Sequence, residues 1–215
     1  MKALALALIA IFSLPCSRAV ATPEQDFWAW FGKNEAALFD FEKDQDRIFK
    51  ELSTEMKKVN GDLTFEFGPK ENGKRDFVIS AGGIQSSFPA VIALYNSSPK
   101  LDRWNFIKFR PRRPFVDNEI DFGGTKVSAK DIYFALDPEG SKVGITLFIK
   151  GYTATPDKSY EQIAYLFLDT ALGEYDVETK VGAITVKDSG EDVKKTPLKD
   201  LPSAVDSYFQ TASGH

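Results

Sequence analysis

Chemistry based on a thiol or an imidazole is almost missing from this chain. Its single cysteine is Cys16, and its single histidine, His215, is the last of 215 residues. Cys16 falls in an N-terminal segment that reads as removable, so the rest of the chain has no thiol and no interior imidazole. A Ser-His-Asp triad needs an imidazole to take the serine proton, and a Cys-His pair needs a thiolate. Neither can be assembled. Zinc and copper sites, haem ligation and iron-sulfur clusters lose their usual ligands for the same reason. The glycine pairs Gly82-Gly83 and Gly123-Gly124 lack the spacing and the following Lys-Ser/Thr of a phosphate loop. No cofactor and no metal site is expected, and no internal repeat or low-complexity tract is visible.

Long hydrophobic runs are also scarce. The one prominent run, residues 3–14 (ALALALIAIFSL), follows Lys2 and ends at Pro15, with the small-x-small triplet Ala19, Val20 and Ala21 behind it. That is the anatomy of a cleavable secretory signal over residues 1–21. It is too short to span a bilayer, which takes about 20 apolar residues. Residues 22–215 are expected to form a single globular α+β domain, periplasmic or secreted, with no transmembrane segment. A chain of that length buries roughly 70% of its unfolded surface, enough for a core without disulfides. The net charge of the whole chain is −4, and losing Lys2 and Arg18 makes it more negative. Nucleic acid is therefore an unfavoured partner.

Residues 23–59 carry helical periodicity. Pro23 suits a first helical position, with Glu24 and Asp26 at the positive end of the dipole. Phe27, Trp30 and Phe31 share one helical face, which leaves Trp28 to be partly covered by another segment; the alternative is an exposed aromatic recognition edge. Ile48, Leu52, Met56 and Val59 continue the pattern up to Asn60-Gly61. The period then drops to two at Leu63, Phe65 and Phe67, and Asn72-Gly73 signals a hairpin into residues 75–80. A helix over 84–98, strands over 104–109, 132–136 and 143–149, a helix over 157–173, an edge strand over 181–186 and a short helix over 202–209 follow. Hairpin signals between alternating strands predict an α+β fold: an antiparallel or mixed sheet with helices mainly on one face. Residues 111–127 read as a long, weakly structured loop, and TASGH as a disordered tail.

Carboxylates and arginines are the chemistry that remains. Glu174, Asp176 and Glu178 alternate just after the strong helix, and on an extended segment they would point the same way as an acid/base pair or a hard-cation site. Asp117, Glu119 and Asp121 repeat the alternation in the long loop. Residues 108–114 (KFRPRRP) place Arg110, Arg112 and Arg113 beside a strand containing Trp104, between prolines that stiffen the loop. Guanidinium forks suit carboxylate or phosphate. The bland reading is that these arginines neutralise nearby acids such as Asp117, Glu119 and Asp121. Ser80, next to Ala81, Gly82 and Gly83, lacks a base nearby in sequence.

The segments FWAWFGKNE, RDFVISA, WNFIKFRPRR and FLDTALGEYD give the chain its resemblance: it resembles uncharacterised bacterial exported proteins sharing such blocks. The resemblance implies no activity and gives no residue a catalytic role. The residues favour a non-catalytic exported binding protein, with an envelope protein or an anionic ligand as partner and Arg110, Arg112, Arg113 and Trp104 at the site. That role asks for the three arginines exposed beside an apolar patch. The alternative is a carboxylate-based, divalent-cation-dependent hydrolase built on Glu174, Asp176 and Glu178.

Overall fold

Thr22 opens the first helix with a capping box: its side chain accepts from the Gln25 amide while the Gln25 side chain accepts from the Thr22 amide. The computed structural model describes residues 20–154, 156, 158–190 and 195–212, so all of the signal segment except Val20 and Ala21 lies outside the described residues. Helix α1 (Pro23–Lys33) leads through the short α2 (Glu35–Phe39) and a 3-10 turn into α3 (Gln45–Val59). The aromatic opening is more deeply used than its spacing predicts. Phe27, Trp28 and Phe31 are all buried, while Trp30 is only half-buried. Trp28 goes inside because its indole N–H finds a partner there, the Leu94 carbonyl at 2.8 Å.

Strands β1 (Thr64–Glu71) and β2 (Lys74–Ser80) form the expected hairpin. Asn72 and Gly73 both take positive φ, 50° and 76°, as a two-residue turn of this kind demands. Helix α4 (Phe88–Asn96) starts four residues later than its apolar pattern suggests. Pro89 has no amide to donate, so it can sit only in the first turn. Strand β3 (Trp104–Lys108) then returns parallel to β2, with Phe77 opposite Phe106.

The stretch expected to be a weakly structured loop contains a second hairpin, β4 (Glu119–Phe122) and β5 (Thr125–Ser128). Gly123 and Gly124, at φ 61° and 84°, supply its turn. The remaining elements are β6 (Ile132–Glu139), β7 (Lys142–Ile149), α5 (Ser159–Leu172), α6 (Glu174–Lys180), β8 (Val181–Asp188), β9 (Thr196–Pro197) and α7 (Leu201–Ala212). Helix α7 takes in Thr211 and Ala212, the start of the expected tail; residues 213–215 lie outside the described ones. The sheet order is β8-β7-β6-β9, with β7 central as expected and β8 parallel to it at an edge.

The fold is α+β with mixed sheets, as the pattern predicts. A regularity appears that the residues alone conceal. β1, β2, α4 and β3 form a hairpin followed by a helical crossover to a strand parallel to the second hairpin strand, and β6, β7, α5 with α6, and β8 repeat that course. Each unit has its own core. The first is aromatic, with Phe27, Phe31, Phe77 and Trp104 among Leu52, Met56 and Leu94. The second is mainly aliphatic, with Ile132, Ile145, Leu147 and Ile149 against Ile163, Phe167, Leu168 and Leu201. Among the described residues, no helix is long and apolar enough to cross a membrane.

Candidate functional site

The arginine segment is a strap along the seam between the two units. Phe109, just after β3, lies in the left-handed region at φ 63°, buried, with its amide donating to the Ile79 carbonyl at 2.8 Å. That bend turns the chain out of the first sheet. Arg110 and Arg113 each precede a proline, which disfavours helical backbone and keeps the strap open. Its main chain is then fastened to the second unit. The Glu174 amide donates to the Arg110 carbonyl at 3.0 Å, and the Arg113 amide donates to the Thr170 carbonyl at 2.9 Å. Gly173, at φ 78°, caps α5 and starts α6 directly beneath the strap; a Cβ there would meet the Arg110 oxygen at 3.0 Å.

All three arginines are engaged by acids of the chain. Arg110 pairs with Glu66 at 2.7 Å and reaches Asp169 at 3.5 Å, while Arg113 pairs with the other oxygen of Glu66 at 2.7 Å. Arg112 forms a fork with both oxygens of Asp206 at 2.8 Å, meets Asp176 at 2.5 Å and donates from Nε to the Leu172 carbonyl. The Asp206 fork holds the guanidinium protonated even more firmly than usual, and Arg112 in turn holds the Asp206 carboxyl below the ordinary range. The acids are not the ones nearest in sequence. Asp117 pairs with Lys130 and Asp121 faces Lys126.

Residues 174–180 are helical, and that corrects the extended reading of the carboxylate run. At about 100° per residue, Glu174 and Glu178 share a side of α6 and Asp176 lies opposite. The three therefore part company. Glu174 is fully buried, with Oε1 accepting from the Ala81 and Gly83 amides at 2.9 and 3.1 Å and Oε2 from the Arg110 amide at 3.1 Å. These amides lie just past the C-terminal ends of β2 and β3, so a side chain of the second unit fills the end of the first unit's parallel strand pair. Asp176 faces Arg112 and Lys180 on the other side. Glu178 stands against Gly83, where its Oε1 lies 3.2 Å from the place a Cβ would occupy. Burial, and then the Asp169 charge, push the Glu178 carboxyl up despite Lys142. Burial likewise pushes up Asp169, with Arg110 opposing and Glu174 and Glu66 adding to the rise.

Two other candidates are inside the molecule. Trp104 is buried among Phe31, Phe39 and Phe67, where it serves the aromatic core rather than an exposed face. Ser80 is buried, and its hydroxyl oxygen accepts from the Gly82 amide. No group of three or more His, Cys, Asp or Glu among the described residues is arranged to hold a metal ion.

Two clefts flank the strap. The smaller, about 310 Å³, lies over Glu66, Arg110, Asp169 and Leu166. The larger, about 530 Å³, is walled by Ile92, Phe109, Pro111, Leu172 and Tyr175, with Lys108, Arg112 and Asp176 at its edges. Lys108 is exposed and, among the described residues, has no carboxylate partner; its Nζ sits 5.5 Å from the Tyr95 ring centre. The arginines thus have an apolar surface beside them, but they are already occupied. Lys108, Asp169, Glu66 and Tyr175 line these clefts with little warning in the sequence. Lys108 and Tyr175 lie in the KFRPRR and GEYD blocks, whereas Glu66 is distant from both and only folding brings it close. Compared with models of protein families, curated proteins and solved structures, the chain matches none.

Proposed function

We propose that the chain is a non-catalytic binding protein, exported by the signal-like residues 1–21 to the periplasm or the exterior, whose ligand face is the larger cleft beside the strap. The observation that carries this reading is Lys108, a cation with no carboxylate partner among the described residues, at the rim of an apolar-walled cleft and next to arginines whose charges are already met. Volume and lining fall within the range of small-ligand sites, which combine apolar walls with a few polar groups. In this reading the arginines build the wall and Lys108 meets the ligand. The partner is a small anion or an anionic group on an envelope component. Titrating the full chain with a panel of carboxylates, phosphates and sulfates tests it. Saturable binding without turnover is expected, and a panel in which nothing saturates removes the reading.

A second reading, a carboxylate-based hydrolase, draws support from Asp169 and Glu178, whose raised carboxyls stand near each other at the seam. A general acid needs such a rise. Turnover of ester, glycoside or phosphodiester substrates that disappears in both Asp169→Asn and Glu178→Gln would favour it over binding.

A further inference from the structure

We infer that the cleft between Lys108 and Tyr175 is a site for an aromatic monocarboxylate, an inference that rests on the binding reading above and names its ligand. Tyr175 makes the recognition surface. It projects from α6 with 47% of its area exposed, an unusual display for a side chain that is also backed by aromatic neighbours. Behind it stand the buried rings of Phe88, stacked at 5.7 Å and 23°, and Phe109 at 5.1 Å. The phenol ring is thus a shelf held from one side and open on the other. A planar ligand ring can rest on it without ordering a flexible side chain, which keeps the entropic cost of binding low.

Charge decides the ligand's polar end. Arg112 is matched by Asp176 and Asp206, and Arg110 by Glu66 with Asp169. Among the described residues, Lys108 is the one cation of the cleft rim with no acid, so the rim has room for a single negative charge. A dianionic phosphate would bring one charge more than the rim can meet, to a chain whose net charge is already −4. The ammonium is a compact point charge on a flexible stem and suits a carboxylate at the rim, while the ring lies deeper against Leu172, Ile92 and Tyr175. Neither half suffices alone, because an exposed ion pair contributes little in water and the apolar contact confers no preference for charge.

The probes are 2-naphthoate and its uncharged isostere 2-naphthamide, titrated into the full chain and followed by calorimetry and by amide chemical shifts. Naphthoate should bind one to one, about fivefold more tightly than naphthamide. Lys108→Met keeps the aliphatic stem and should erase that difference. Tyr175→Leu, which keeps an apolar wall but removes the shelf, should weaken both probes, and unchanged thermal unfolding would show that each variant folds. Shifts should centre on Phe109, Gly173 and Tyr175. Equal binding of the two probes, an unaltered preference in Lys108→Met, or shifts centred elsewhere would overturn the inference. If naphthoate fails while another anion saturates this cleft, the ligand class falls and the binding reading stands; if no anion binds, both fall.

Discussion

Glu174 spends both carboxylate oxygens on backbone amides, so its substitution strands donors rather than merely deleting a charge. Buried amides without acceptors cost about 1–3 kcal/mol each before relaxation. Glu174→Ala should therefore destabilise the protein by about 3 kcal/mol or more in urea unfolding, and Glu174→Gln by less, because it retains one acceptor oxygen. A loss below about 0.5 kcal/mol for the alanine variant would refute the clamp. Asp169 and Glu178 act in the opposite sense. Their carboxyls hold a proton more tightly in the folded chain than in the unfolded one. Their cost is absent below the ordinary carboxylate range and fully present above the raised folded values, so stability from these two groups falls as pH rises through that window. Glu178→Gln should raise stability at neutral pH and flatten the slope between mildly acid and neutral solution. Asp40 and Asp206 contribute the reverse: Asp40, held down to about 2 by Lys70 and Lys43, and Asp206, held down by Arg112, lose their contribution as pH falls through their lowered values. Pairwise comparison of wild type and Glu178→Gln over that range separates the two effects.

At the level of elements, α6 and the strap depend on each other. Gly173 joins two helices at a positive φ and lets the Arg110 and Arg112 backbone pass within 3.0–3.1 Å of where a Cβ would be. Alanine there meets both the left-handed penalty and two backbone atoms of a segment tied on each side, since the Arg110 carbonyl accepts from the Glu174 amide and the Arg113 amide donates to the Thr170 carbonyl. A loss of about 2 kcal/mol or more is expected, against about 1 kcal/mol for Gly73→Ala, where nothing lies within 4 Å. Equal losses in calorimetric unfolding would show that the strap can yield. Most elements were legible from local pattern. Alternating Leu63, Phe65 and Phe67 with Asn72-Gly73 marked the first hairpin, and the apolar spacing of 160–172 marked α5. The hairpin at Gly123-Gly124 escaped because its strands have only four residues each and bury just one of the eight, Val127, so burial periodicity hardly registers. Helix α6 escaped because seven residues rich in acids fit a solvated connection equally well. What holds it helical is Gly173 as a hinge and the capture of Glu174 by the other unit.

Across the whole molecule, two units with separate cores meet at a seam made mainly of ion pairs and amide-carboxylate bonds, with Tyr175 packed on Phe88 and Phe109. A seam of ion pairs and amide-carboxylate bonds is weaker than either core, which is closed by apolar packing. Hydrogen exchange in Glu174→Ala should accelerate at Ala81, Gly83 and Arg110 while the amides of β7 keep their protection. Uniform acceleration through β7 would mean that the two cores open together.

Composition and local pattern by themselves determined the scarcity of thiol and imidazole groups, the α+β class and most of the elements. These follow from residue identity and from short-range periodicity, which act within a few residues of chain. Only the tertiary structure decided that the carboxylate run divides into a buried clamp, a strap partner and a raised acid, that Glu66 meets the arginines, and that Lys108 has no acid beside it among the described residues. The reason is physical: ion pairing and burial depend on distance in space, and Arg113 with Glu66 and Arg112 with Asp206 lie 47 and 94 positions apart along the chain.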